Sequence, residues 1–385
     1  MKRVFIQACV RYPHGGALSN YIQSLAKAIS YAGYEVILAV NINKEYDIKT
    51  VISSSKPIII IPVMPNEDAS IWKEQRRTGY SAERLGILEK YNINKDDCVI
   101  ILDLWSEYFL ERLFKLGKEI GFKTICGVFE LFEAKDYETI ERYKEFVHVY
   151  EELYLQSDAI LSISEYVDNY YINRNMQVYR LPPMIDCTEY TAEIKGMDKY
   201  RFIIPSHKDS LKSMLMAFAG LKAEERDGIE LHLCGIKKEK LMDIMDQALW
   251  TCLESCTIVH DWMRYEELVA LYQQMHFLVI ARDVCQRTLA NFPSKVPECM
   301  SLGMVPIVSD VGDYTKYYLR DGIDSIFIQG DSVEEIRKSV RKAMALSKIE
   351  FKRYSENAIH CAETKFDYRV WIDKVHEMLA NEPRG

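Results

Sequence analysis

The stretch that decides how this chain is built is residues 291–314, "NFPSKVPECMSLGMVPIVSDVGDY". Lys295 and Glu298 stand three positions apart, which puts them on one face of a helix. The chain then passes Gly303 and enters Val305, Pro306, Ile307 and Val308, a continuous apolar run. Continuous rather than alternating apolar residues mean a strand covered on both faces, as in a parallel sheet flanked by helices. With the preceding run "FLVIAR", the stretch reads as strand, loop, charged helix start and strand.

The same grammar extends in both directions. The first half holds "RVFIQACV", "YEVILAV", "PIIIIPV", "DCVIILDLW", "FKTICGVF" and "AILSIS", interleaved with segments whose apolar residues recur at helical spacing. A polar stretch, "TAEIKGMDKY", reads as a linker. The pattern restarts with "YRFIIPS", "IELHLCG", "CTIVHDW", "FLVIAR", "VPIVSD" and "SIFIQG". The final "FDYRVWIDKVHEMLA" is an amphipathic helix carrying Tyr368, Trp371, Val375 and Leu379 at helical spacing. The expectation is an α/β protein of two Rossmann-like domains, residues 1–187 and 199–362, facing across a cleft, with 363–385 as a terminal helix. Ligands of such sheets bind outside the carboxyl ends of the strands, so the loops that follow strands are the ones to read.

Composition narrows the function. A length of 385 residues suits two domains, and 48% apolar with 28% charged residues is ordinary for globular proteins. The net charge of −8 offers no footprint for a phosphate backbone, so nucleic acid is not an expected partner. Ten scattered cysteines without a C-x-x-C pair read as small buried residues of a reducing, cytoplasmic compartment. The opening "MKRVFIQACVRYPHGG" breaks its apolar run at Arg11 and reads as a first strand, and no window approaches 18 apolar residues. At most a peripheral membrane contact is expected.

Three loops carry chemistry. In "RYPHGGALSN", Gly15 and Gly16 let a backbone approach a ligand, and the helix start behind them favours an anion; the alternative is a purely structural turn. In "IIPSHKDSLKSMLMAF", Lys208 follows a strand and precedes a helix, either as a phosphate partner or as a solvated lysine. In the opening stretch a carboxylate near a helix start can accept hydrogen bonds from paired ribose hydroxyls while a lysine neutralises phosphate. The alternative there is a surface ion pair, against which the flanking Phe292 and Pro293 argue. His14 precedes the glycine pair, whereas His232 and His260 sit in or beside strands and read as hydrogen-bonded core residues.

In this order "HGGALSNYIQSLAKAISYAGYEV", "SDAILSISEY", "YRLPPMID", "KDSLKSMLMAF", "IELHLCG", "EELVALYQQMHFLVIAR" and "FPSKVPECMSLGMVPIVSDVGD" resemble the retaining glycosyltransferases of the GT-B fold, family four. The resemblance implies a nucleotide-sugar donor such as a UDP-sugar, held against the second domain. It also implies a sugar, lipid-linked or protein acceptor, and a last helix that crosses back to the first domain. Carried over by position, Glu298 resembles the family's ribose-binding glutamate, Lys208 the lysine at the leaving diphosphate, and Gly15 with Gly16 the loop that approaches the same phosphates. Arg282, Phe292, Ser294 and Lys295 complete the expected nucleotide and diphosphate set. Glu130 falls where many members carry a histidine near the sugar, which makes Glu130 and Lys208 the expected catalytic pair, and His14 is expected at the acceptor or donor sugar.

The chain departs from the pattern at Ala290, where the first glutamate of the motif would stand, and at Pro293, which has no backbone amide to donate. The arginine that often precedes the diphosphate lysine has no counterpart, leaving Arg201 or Arg282 to supply the charge. No D-x-D triplet occurs, so neither metal nor other cofactor is expected and lysines are left to neutralise the diphosphate. The resemblance thus implies a retaining hexosyl transfer in surface polysaccharide or glycoconjugate synthesis. A non-catalytic nucleotide-sugar binding protein is the alternative that Ala290 keeps open. A nicotinamide oxidoreductase lacks its glycine fingerprint here.

Overall fold

The computed structural model describes residues 2–42, 54–64, 80–103, 106–192, 196, 198–205 and 210–382. The chain divides into two compact units. One comprises Met1–Ile185, Ala290–Phe292 and Tyr368–Gly385, the other Asp186–Leu289 and Pro293–Asp367.

The first unit is a parallel sheet of β1 (Arg3–Tyr12), β2 (Glu35–Ile42), β3 (Ile58–Met64), β4 (Cys98–Leu102), β5 (Lys123–Val128), β6 (Ala159–Ser162) and β7 (Gln177–Arg180). Their order is β3-β2-β1-β4-β5-β6-β7, so the connection reverses direction between β1 and β4. The period-2 alternation of strand side chains divides β1 between two cores. Val4, Ile6, Ala8 and Val10 pack with the Ala17–Tyr31 helix and with Tyr368, Val375, Met378 and Leu379, whereas Phe5 and Cys9 join Ile37, Ala39, Val99 and Ile101 on the other face.

The last helix, Ile372–Ala380, is tied down at its carboxyl end as well as by its apolar stripe. Lys123 Nζ donates to Met378 O at 2.7 Å and Asn381 O at 3.0 Å, meeting the negative end of the helix with a cation. Among the described residues seven strands are present where the apolar runs pointed to six, because edge strand β7 is half-exposed and carries Gln177 and Arg180.

The second unit is a parallel sheet of β8 (Tyr200–Pro205), β9 (Ile229–Cys234), β10 (Thr257–His260), β11 (Phe277–Ile280), β12 (Val305–Ser309) and β13 (Ile326–Ile328), in the order β10-β9-β8-β11-β12-β13. Pro306 sits in an inner strand without losing a ladder bond. Val305 donates to His276 O on the β11 side at 2.9 Å, and pairing with β13 begins only at Ile307, so no acceptor awaits a Pro306 amide. The Lys295–Ser301 helix ends on Gly303, whose φ of +73° needs glycine. The Ser355 hydroxyl donates to the Gly303 carbonyl at 2.7 Å and closes the turn into β12.

Candidate functional site

In the first unit the carboxyl ends of β1, β4 and β5 gather the residues of interest. After β1 the chain turns through His14 (φ 55°), Gly15 and Gly16 (φ 130°) into the Ala17–Tyr31 helix. A Cβ on Gly15 would lie 2.0 Å from Arg11 O, so only glycine lets this turn close. Gly16 caps the helix without a side chain, which leaves the first-turn amides to a ligand or water. His14 Nδ1 lies 3.4 Å from Asn20 Oδ1.

Glu130, exposed two residues past β5, accepts a hydrogen bond from Asn291 Nδ2 at 3.3 Å. Asn291 reaches it because Ala290–Phe292 belong to this unit. Ala290 is fully buried in the apolar cluster beside Phe109 and Val128, and its carbonyl accepts from Ser164 Oγ at 2.7 Å. At the position of the motif's first glutamate the chain therefore has a methyl group in an apolar setting, where a carboxylate would be strongly desolvated. Phe292 packs in this unit too, while Ser294, Lys295 and Glu298 lie in the other.

Sequence reasoning missed two groups on this edge. Asp103, directly after β4, adopts φ 49°, a left-handed conformation that is costly for a side-chain-bearing residue and concentrates at functional sites. Burial first, then the charges of Asp136 and Glu130, and more weakly Tyr143 and Asp103, push the Tyr137 phenol up. Its hydroxyl is buried with no hydrogen-bond partner. Applying the loop-after-strand rule to "DCVIILDLW" would have flagged Asp103, whereas nothing local marks Tyr137.

In the second unit the centre is Glu298. It sits in the first half of the Lys295–Ser301 helix, capped by Ser294 without a side-chain bond, and is only 5% exposed. Pro297 fits there because a first-turn amide has no intrahelical acceptor to lose. Burial excludes the wet surface ion pair. Three tyrosines, Tyr190 and the pair Tyr265 and Tyr272 on one helix, lie in the field of this carboxylate. Tyr190 and Tyr265 share a hydrogen bond between their hydroxyls at 2.5 Å, and the Tyr272 hydroxyl is buried with no hydrogen-bond partner. Burial and then the Glu298 charge hold the Tyr190 and Tyr265 phenols far above their ordinary range. Tyr272 is raised by burial and, in turn, by Cys299 and Glu298. Lys295 Nζ lies 5.9 Å from the centre of the Tyr272 ring, and its charge also reaches Cys234 at the end of β9. A buried carboxylate and an ammonium thus sit one turn apart at the carboxyl edge, a fit for ribose hydroxyls and a phosphate.

Lys208 lies outside the described residues. Arg282, half-buried just past β11, donates its backbone N–H to Ser309 Oγ at 2.8 Å. Arg201 does not serve as the missing diphosphate arginine. It is the second residue of β8, four residues or about 13 Å from that strand's carboxyl end. There it pairs with Glu230 at 3.0 Å and Asp198 at 3.0 Å. His232 and His260 are hydrogen-bonded to each other, Nδ1 to Nε2 at 2.9 Å.

Comparison with known proteins bears on the family and the fold. The family described as Glycosyl transferases group 1 matches residues 206–360. No curated protein matches the chain. Among solved structures, a glycosyltransferase from Rickettsia africae is 13% identical with a TM-score of 0.67, covering 98% of each chain. Sucrose-phosphate synthase from Thermosynechococcus elongatus is 12% identical with a TM-score of 0.71, covering 98% of this chain and 97% of that one. Anabaena HepE, solved in complex with UDP and glucose, is 12% identical with a TM-score of 0.67, covering 99% of each. Residues 206–360 thus match the glycosyl transferases group 1 family, and the chain as a whole has the two-sheet fold of the GT-B glycosyltransferases.

Proposed function

We propose that this chain transfers a hexosyl unit from a nucleotide-diphosphate sugar to a hydroxyl acceptor with retention at the anomeric carbon, in the synthesis of a surface polysaccharide or other glycoconjugate. The observation that carries the reading is Glu298, a buried carboxylate at a sheet's carboxyl edge whose charge reaches Tyr190 and Tyr265, with Lys295 one turn away. Burying a carboxylate is costly unless something is gained by it, and paired ribose hydroxyls are suitable donors. As the sugar leaves, positive charge spreads over its ring and negative charge grows on the diphosphate. Cations beside the diphosphate lower that barrier most, the part proposed here for Lys295 and, from its place in the sequence, for Lys208. In this reading Glu130, which accepts a hydrogen bond from Asn291 Nδ2, acts near the sugar.

The complex of HepE with UDP and glucose supports a uridine donor for a chain of this fold, and WaaG, involved in lipopolysaccharide biosynthesis, supports a surface-glycan acceptor. A second reading, a nucleotide-sugar binding protein without turnover, is favoured by Ala290, which leaves no carboxylate at the motif's donor-sugar position. Calorimetric titration with UDP and GDP, followed by mass-spectrometric detection of product from a donor panel, separates the two. Binding with release of free diphosphate into product supports transfer, binding without turnover supports the second reading, and absence of nucleotide binding overturns both.

A further inference from the structure

Arg84, in the Ser81–Lys90 helix of the first unit, is fully buried, and burial pushes its guanidinium down to about 10. It still carries its charge at neutral pH. A buried cation is costly, and an apolar side chain would fill the same space without that cost. What the guanidinium touches explains its presence. Nη1 donates to Gln7 Oε1 and to Ala39 O, both at 3.1 Å, and Nη2 donates to Ala8 O at 3.0 Å. One side chain thus bonds the backbones of β1 and β2 together.

These bonds are made where the two strands lose register. Gln7 pairs with Ala39 and Arg11 with Asn41, so four steps along β1 match two along β2. Among the described residues the ladder between β1 and β4 ends at the same point, at Ala8 and Leu102, so beyond Ala8 the strand leans on β2 through an irregular stretch. The Gly15–Gly16 turn closes back on the residue that ends this stretch, since a Cβ on Gly15 would lie 2.0 Å from Arg11 O. Where the slip is held therefore decides where that turn lies. Nor is the cluster tuned for stability: Gln7 Nε2 and, at the far end of the slip, Asn41 Oδ1 are buried with no hydrogen-bond partner. Local rules are broken in this way chiefly at functional sites.

We propose that Arg84 is a positioning residue for the transfer reaction: it staples β1 to β2 across the register slip and so fixes the amides that the Gly15–Gly16 turn offers to a substrate anion. This rests on the transfer reading of the chain. The test is hydrogen exchange by mass spectrometry on the full chain, with steady-state kinetics alongside, for wild type, Arg84→Met, Arg84→Lys and Gln7→Leu. Arg84→Met keeps the bulk and removes every donor; exchange in peptides covering residues 9–20 should speed up roughly tenfold or more while the second sheet keeps its wild-type rates. Arg84→Lys, which keeps the cation, should fall between the two. Gln7→Leu removes one acceptor and should give the same local pattern in smaller measure, which decides the matter if Arg84→Met does not fold. With a donor that the wild type turns over, kcat of Arg84→Met should fall roughly tenfold with a smaller change in KM. Exchange at residues 9–20 that stays at the wild-type rate, or that rises evenly over the whole first unit, overturns the inference, as does an unchanged kcat in a variant whose turn is loosened. A wild type that turns over no donor overturns the transfer reading, and the exchange pattern then still decides whether Arg84 holds the turn.

Discussion

Replacing Glu298 by glutamine keeps the shape of the side chain and removes its charge. A carboxylate accepting one hydrogen bond from each of two ribose hydroxyls makes two charge-assisted bonds, each worth about 1.5–3 kcal/mol against about 0.5–1.5 for a neutral one. Glutamine has only one acceptor oxygen, so its amide nitrogen must meet the second hydroxyl as a donor. The net loss is on the order of 1.5–3 kcal/mol, a roughly 10- to 150-fold weaker nucleoside diphosphate. At only 5% exposure, little water competes for the carboxylate, which places the effect in the upper part of that range. The assay is a double-mutant cycle in which wild type and Glu298→Gln are titrated with UDP and with 2′,3′-dideoxy-UDP. Wild type should lose as much on removal of the hydroxyls as on the substitution, and the two losses should not add. A folded Glu298→Gln variant with unchanged affinity, or full additivity in the cycle, refutes the ribose assignment.

Lys208→Ala should lower the turnover number by on the order of 10²–10³ with a smaller change in donor affinity, since the charge it meets grows in the transition state; steady-state kinetics showing a raised KM at constant kcat would assign it uniform binding instead. Burial, with the His260 charge next, depresses His232 to about 4, so between that value and the ordinary 6.5 the unfolded chain binds the proton that the folded chain refuses. Stability should therefore fall as pH drops from 6.5 towards 4, by up to about 3 kcal/mol, and His232→Gln should flatten that part of a denaturant-derived stability profile; an unchanged slope would show that His232 does not titrate this way. Gly15→Ala places a Cβ 2.0 Å from Arg11 O, so thermal unfolding should show a loss of about 1–3 kcal/mol, and an unshifted Tm would mean the turn has another way to close.

The two-sheet architecture was legible because it is written locally. Runs such as Val99–Leu102 and Val305–Val308 are apolar at every position, and only a strand covered on both faces needs that. The charged first turn at Lys295 and Glu298, and the glycine pair after β1, are contiguous in the chain and could be read as sites from spacing alone. What the sequence could not display is what depends on residues far apart in it. Tyr265 and Tyr272 stand at i and i+7 on one helix, but Tyr190, 75 residues earlier in the chain, reaches the Tyr265 hydroxyl only in the packed structure, and all three then lie in the field of Glu298. Arg201 looked available to a phosphate until strand direction put it at the opposite end of β8. Asp103 shows its left-handed backbone only in three dimensions, and the edge strand Gln177–Arg180 lacks the continuous apolar run because water covers part of it. Ala290–Phe292 is the sharpest case. Its neighbours in sequence fold with the second sheet, yet burial of Ala290 and the Ser164 hydrogen bond place the segment with the first, because contact free energy depends on proximity in space rather than along the chain.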